Sequence, residues 1–188
     1  MDQSARTATI IENALKFALI GGYVATIPIA NWMIGNIGTF CVPNGPCLIP
    51  VGFGMTAPSG VLMVGLALVL RDFVQEHFGK KWAFAAIAVG AFLSYLLADP
   101  FIAFASFVAF FSSELLDFLV YSKIRERGKP MAIAVSGMFG ATADSVLFLY
   151  LAFGSFDHVE GQIFAKVMIG LIIAVLFKLK EVKNERSI

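Results

Sequence analysis

VLMVGLALVLRDFVQEHFGKKW, residues 61–82, decides the fold of this chain. Ten uncharged, mostly apolar residues run into Arg71, Asp72, Gln75 and Glu76, and then into Gly79 and the basic pair Lys80 and Lys81. A membrane-spanning helix needs about 20 mostly apolar residues. Ala57–Phe78 supplies them, with charges only near one end. Upstream, no charge occurs between Lys16 and Arg71, a run of 54 residues. No water-soluble fold presents such a surface. Over all 188 residues, 59% are apolar and 14% charged, with a mean hydropathy of +0.82. Soluble domains average about 25% charged. An ordinary cytosolic enzyme, a nucleic-acid binder and a disordered chain are excluded. The net charge of +1 identifies no partner. The lipid bilayer is the expected environment.

Five further stretches have span-like length and composition: Ala14–Ile34, Trp82–Ala98, Pro100–Tyr121, Met131–Phe153 and Val159–Phe177. Backbone polar groups must be paired inside lipid, and these runs are continuous rather than alternating, so each reads as a helix rather than a barrel strand. The expected fold class is an all-α polytopic membrane protein, residues 1–188 forming one six-helix domain. Lys and Arg fix its orientation. Arg6 and Lys16 precede the first span. Arg71, Lys80 and Lys81 mark the junction of the second and third. Lys123, Arg125, Arg127 and Lys129 separate the fourth and fifth, and Lys178, Lys180, Lys183 and Arg186 follow the sixth. Residues 35–56, 98–100 and 154–158 carry none. The alternation places both termini in the cytoplasm and independently supports six spans. Only Lys166 falls within a span.

The first stretch is too long an apolar run for a cleavable signal peptide, and no small-x-small site follows it. The Gly- and Pro-rich segment of about Gly35–Thr56 is the first external loop. It is apolar enough to lie on the membrane face or re-enter it. It holds Cys41 and Cys47, for which an external disulfide and two free thiols are both compatible readings. GAFLS (residues 90–94) and GMFGA (137–141) are small-residue patches. They suit close helix packing within the chain or a homodimer contact. No Walker loop, internal repeat or soluble domain is present, so no ATPase is built in.

Charges within a span are expensive and are functional candidates by default. At 1.5 Å per residue, Arg71, Asp72 and Glu114 lie about 21–23 Å from the outer surface. Arg71 and Gln75 share a helical face at i, i+4, and Glu114 and Asp117 share one at i, i+3, with Ser113 beside them. The two carboxylates need donors: a basic side chain, a substrate, a proton or a metal. A structural ion pair with Arg71 is the plain alternative to a binding role, and the two are compatible. Asp144 and Lys166 fall at matching depth in the outer half and are predicted to pair, structurally or as part of a site. Glu76, His77, Lys80 and Lys81 read as interfacial. Asp99, before Pro100, reads as a turn residue. His77 and His158 lie near opposite surfaces, and Trp32 and Trp82 lie where interfacial aromatics belong. The chain lacks a nucleophile–base set and clustered histidines. No catalytic residue, metal or cofactor is assigned.

These residues carry a family likeness. LRDFVQEHFGKKW (70–82), SELLDFLVY (113–121), ADSVLFLYLAFG (143–154) and the helix holding Lys166 resemble the VUT family, the queuosine precursor transporters. The likeness spans about residues 50–180. It runs through Asp72, Gln75, Glu76, Gly79 and Lys80, then Ser113, Glu114 and Asp117, then Asp144 and Lys166. The last helix reads LIIAVLFK where many members have Thr-Pro, and the loop with two cysteines is not a general feature.

The resemblance implies an inner-membrane importer of 7-deazaguanine bases that works without its own ATPase. Such a base presents a ring N–H beside an exocyclic amine, and one carboxylate can accept both hydrogen bonds. Glu114 or Asp117 would serve, with Arg71 neutralising the empty site, Gln75 and Ser113 nearby, and Asp144–Lys166 repacking between states. Phe110, Phe111 and Phe118 flank the acidic pair and could stack on a planar ring. The competing reading is a substrate-capture subunit for a purine-like or vitamin-like solute that depends on a partner energising module.

Overall fold

The computed structural model describes residues 3–43, 45–98, 100 and 102–185. Asp99 and Arg186 therefore lie outside the described residues. Six long helices follow one another: α1 Gln3–Asn36, α2 Val61–Phe78, α3 Lys80–Leu97, α4 Ala103–Ile124, α5 Lys129–Phe153 and α6 Val159–Glu185. A single turn of 3₁₀ helix, Arg125–Arg127, joins α4 to α5. Among the described residues, five helices are long and apolar enough to cross a membrane. The exception is α2. It has 18 residues, but Arg71, Asp72 and Glu76 lie within it.

Several helix ends differ from the expected spans. The first helix begins at Gln3, because neither Gly nor Pro interrupts residues 3–20, while its apolar, membrane-crossing part runs Asn13–Asn36, close to the expected start at Ala14. The last continues past Phe177 to Glu185 through Lys- and Glu-rich sequence that favours helix. The fourth starts at Ala103, three residues later than the boundary drawn at Pro100, and runs on to Ile124. Gly79 divides α2 from α3 at φ 84°, ψ 172°, a conformation closed to other residue types. Gly154 ends α5 in the left-handed region, its N–H bonded to Tyr150 O.

The loop between α1 and α2 forms a structure that the composition did not announce. Residues Phe40–Cys41 (β1), Cys47–Gly52 (β2) and Met55–Pro58 (β3) make a three-stranded antiparallel sheet in the order β1-β2-β3. Cys41 pairs with Cys47 in register, and their sulfurs are bonded. In the next hairpin Leu48 faces Pro58, and Ile49 faces Ala57. The sheet packs on α1 through β2 and on α6 mainly through β3. There is no room there for a side chain at Gly161, whose Cβ would overlap Thr56 O. Thr56 Oγ1 is hydrogen-bonded to His158 Nδ1 at 2.9 Å.

The bundle is packed inside out relative to a soluble protein. Phe84, Phe92, Phe104, Leu119, Phe139 and Ile172 are exposed, whereas Arg71, Asp72, Glu114, Asp117 and Lys166 are each at most 2% exposed. That is the distribution expected when the solvent is hydrocarbon. The most extensive helix contact is α4 on α5, followed by α5 on α6. Gly140 brings α5 close: a Cβ there would lie 2.9 Å from Asp117 Cβ and 3.0 Å from Leu68 Cδ2. Gly90 does the same for α3, where a Cβ would lie 2.9 Å from Phe110 Cε1. One glycine from each small-residue patch is thus engaged within the chain.

Candidate functional site

Among the described residues, the buried charged groups of the bundle lie on four helices, and the polar contacts fall into three levels. The level nearest the sheet is built from α5 and α6. Lys166 Nζ donates to Asp144 Oδ2 at 2.5 Å, to Ser145 Oγ at 2.9 Å and to Gln162 Oε1 at 2.9 Å. An ammonium has three N–H groups, and all three are used. Gln162 and Lys166 meet because they are one helical turn apart on α6. Gly65 lets α2 approach this point, where a Cβ would stand 3.2 Å from Lys166 Cα.

Ser113 on α4 connects this level to the next. Its hydroxyl donates to Phe110 O at 3.1 Å and lies 3.4 Å from Asp144 Oδ1. The next residue, Glu114, belongs to the second level, which is centred on Arg71. Arg71 Nε donates to Glu114 Oε2 at 3.2 Å, and Nη1 to Gln75 Oε1 at 3.3 Å. Nη1 also touches Asp72 Oδ1, and Nη2 touches Asp117 Oδ2, each at 2.6 Å. Neither of these two contacts has hydrogen-bond alignment. The guanidinium sits 5.8 Å from the Tyr121 ring centroid. Gln75 Nε2 continues the line by donating to Ser122 Oγ at 2.9 Å.

The third level is at the end of the bundle away from the sheet. Glu76 is held by Arg125 at 2.7 Å and by Lys129 at 2.9 Å. Both cations are over one-third exposed, which fits the interfacial reading of this residue. His77 donates from Nδ1 to Phe73 O. Lys16 lies over the rings of Phe78 and Trp82, at 4.8 Å and 5.6 Å. This is how a long cation behaves at a membrane interface.

A narrow cleft of about 60 Å³, partly open to its surroundings, enters the bundle from the sheet side. Its polar floor is Asp144, Gln162 and Lys166. Phe110 and Phe148 line it, as do Ser94 and Ser106. Of the seven residues singled out in the sequence, Asp144 and Lys166 reach this cleft. Ser113 lies immediately behind them, while Arg71, Gln75, Glu114 and Asp117 are buried below. Glu114 and Asp117 are both turned onto Arg71, the contact expected if the guanidinium neutralises the empty site. The carboxylate presented to the cleft is Asp144. Phe110 is the one ring of the proposed trio in its lining. Phe111 stacks instead on Phe107, with centroids 6.1 Å apart.

Sequence reasoning missed Gln162, although its i, i+4 spacing from Lys166 marks it as a facial neighbour. It also missed Tyr23 and Ser136, uncharged residues in apolar runs, and Ser122, next to the basic segment after α4, with nothing in their spacing to distinguish them. Together the cleft, the satisfied Asp144–Lys166 pair and the sealed Arg71 level make an arrangement open at one end and closed at the other. No curated protein and no solved structure matches this chain. Residues 96–180, which include α4, α5 and most of α6 and carry Glu114, Asp117, Asp144 and Lys166, match the model of the transporter family described as "Putative vitamin uptake transporter", the family that the sequence blocks resemble.

Proposed function

We propose that this chain is a secondary importer of queuosine precursor bases, 7-cyano-7-deazaguanine and 7-aminomethyl-7-deazaguanine, in a bacterial inner membrane. In this reading all six helices span the bilayer, both termini are cytoplasmic, and α2 crosses because its charges are paired within the bundle rather than shown to lipid. The observation that carries the reading is the cleft floored by Asp144, Gln162 and Lys166, with the Arg71 level closing the path below. That is the outward-open half of an alternating-access cycle.

The floor suits the edge of such a base. A 7-deazaguanine offers N–H donors beside a carbonyl acceptor. Asp144 accepts from the ring N–H and exocyclic amine, while Lys166 turns one N–H from Asp144 to the carbonyl oxygen. Gln162 supplies a further donor and acceptor. Phe110 and Phe148 give the planar ring apolar walls. Binding exchanges the internal Asp144–Lys166 contact for contacts to the base, so the occupied floor no longer ties α5 to α6. That exchange links occupancy to movement.

The test is uptake in a bacterium that can neither make queuosine nor import its precursors. The chain is expressed, either base is supplied at nanomolar to micromolar concentration, and queuosine is assayed in tRNA. The expected result is restored queuosine, lost in Asp144→Asn at unchanged membrane abundance. No restoration by protein verified in the membrane overturns the substrate assignment. Restoration only when a second, energising protein is present replaces the importer with a capture subunit.

A further inference from the structure

Among the described residues, the buried interior holds two more carboxylates than cations. Asp72, Glu114, Asp117 and Asp144 face Arg71 and Lys166, and all six are buried. The Asp144–Lys166 half is neutral and its ammonium is fully used. The surplus therefore lies around Arg71. Among the described residues, the buried side-chain polar atoms that lack a well-aligned hydrogen bond all belong to the same place. These are Tyr23 Oη, Arg71 Nη2, Asp72 Oδ1, both carboxylate oxygens of Asp117, and Ser136 Oγ. Tyr23 reaches the cluster from α1 beside Glu114, and Ser136 reaches it from α5 beside Asp117. Tyr121 on α4 and Asp144 on α5 complete the titratable groups facing it, and α6 acts only through Lys166 on Asp144.

Something small and positive fits this site. A metal ion does not: the guanidinium stands where an ion would, and among the described residues no set of three or more His, Cys, Asp and Glu is placed to hold one. A larger cation does not fit either, since helix α5 is pressed against Asp117 at Gly140. A proton needs no room. It removes one surplus charge and turns an acceptor into a donor among carboxylate oxygens crowded around one guanidinium.

We propose that the Arg71 cluster is a proton site, and that the proton it holds is carried across the membrane with the solute. The step rests on the alternating-access reading above. One of Asp72, Glu114 and Asp117 takes a proton that originates on the sheet side. The O–H bond breaks when the cluster opens to the other side, the proton passes to water there, and the carboxylate returns to Arg71. Ser113, between Asp144 and Glu114, joins this site to the floor of the cleft, so that emptying one changes the other. The energy source is a proton gradient across the membrane.

Two measurements test this separately from the substrate. The first is the infrared spectrum of the purified full chain in lipid at neutral pH. The expected result is a carbonyl band of a buried, protonated carboxylic acid, lost or shifted in one of Asp72→Asn, Glu114→Gln and Asp117→Asn. No such band in the unsubstituted protein overturns the proton site, whatever is transported. The second uses proteoliposomes given 7-cyano-7-deazaguanine with the sheet side more acidic and a pH-sensitive dye inside. One proton per base raises accumulation about tenfold per pH unit, acidifies the interior in step with uptake, and is abolished by a protonophore. Uptake indifferent to the gradient overturns co-transport and leaves the importer standing. No uptake at all, with the infrared band present, supports the proton site and removes the substrate assignment.

Discussion

Replacing Lys166 by Met tests the floor of the cleft most directly. Methionine keeps the length and flexibility of the lysine stem and removes the ammonium. Three acceptors lose their donor at once: Asp144 Oδ2, Ser145 Oγ and Gln162 Oε1. Of these, Asp144 matters most. Its remaining side-chain partner is Ser113, at 3.4 Å, and that hydroxyl also serves Phe110 O. Asp144 is 6% exposed and Lys166 2%, so water replaces little of what is lost. Breaking one side of a buried ion pair costs about 3–5 kcal/mol. At about 1.4 kcal/mol per factor of ten, the ratio of folded to unfolded protein falls roughly 10²–10⁴-fold. Adding Asp144→Asn to Lys166→Met removes the stranded charge. An amide facing a thioether should recover most of the loss, to within about 1–2 kcal/mol of the parent, since neutral replacements of buried pairs are often tolerated. The assay is reversible unfolding in detergent micelles for the parent, both single variants and the double variant, which isolates the coupling between the two sites. Lys166→Met at parental stability would refute the reasoning. So would a double variant no better than the single, because the cost would then lie in packing rather than in charge.

Two further outcomes separate the packed interior from the interfacial level. Gly140→Val places branched carbons against Asp117 and Leu68, where a single Cβ is already 2.9–3.0 Å from both, and should lower stability by about 1–3 kcal/mol, read as a lower melting temperature. Glu76→Gln removes two ion pairs whose cations are largely solvated, and should change stability by less than about 1 kcal/mol in the same unfolding assay.

The membrane class and the helix positions were legible in the sequence because they depend on composition over about 20 residues, and such averages tolerate errors at each end. The Asp144–Lys166 contact was legible for a related reason. Depth along a helix follows from residue number at a fixed rise, and two opposite charges at one depth inside lipid have few other partners. Azimuth was less legible. Which way Glu114 and Asp117 turn depends on how α4 is rotated against α2 and α5, and α5 meets Asp117 closely only because residue 140 is Gly. The sequence therefore showed that two carboxylates share a face at the depth of Arg71 and offered their pairing with it, but not that the cleft above them would end on Asp144 instead. The sheet was hidden because its strands are two to six residues long, interrupted by Pro and Gly, and paired through contacts that only the folded loop brings together.

The two buried levels differ in a way that bears on how such a bundle could move. At Lys166 every donor has an acceptor at 2.5–2.9 Å, and removing any partner leaves a group stranded. At Arg71 three carboxylates crowd one guanidinium, and only the Glu114 contact is a hydrogen bond between opposite charges. A satisfied network has one best arrangement, whereas an under-satisfied one has several of comparable cost. The helices that share the Lys166 level, α5 and α6, are therefore fixed to each other until a ligand takes over part of that network. Those that share the Arg71 level, α2 and α4, have alternatives close at hand: Asp72 lies on the same helix as Arg71, while Glu114 and Asp117 lie across the interface. Arg71 already touches Asp72, so parting α2 from α4 would leave the guanidinium paired but strand Glu114 and Asp117. A proton on the cluster, as proposed above, would lower that cost by neutralising one of the two, and so ties opening of this level to protonation.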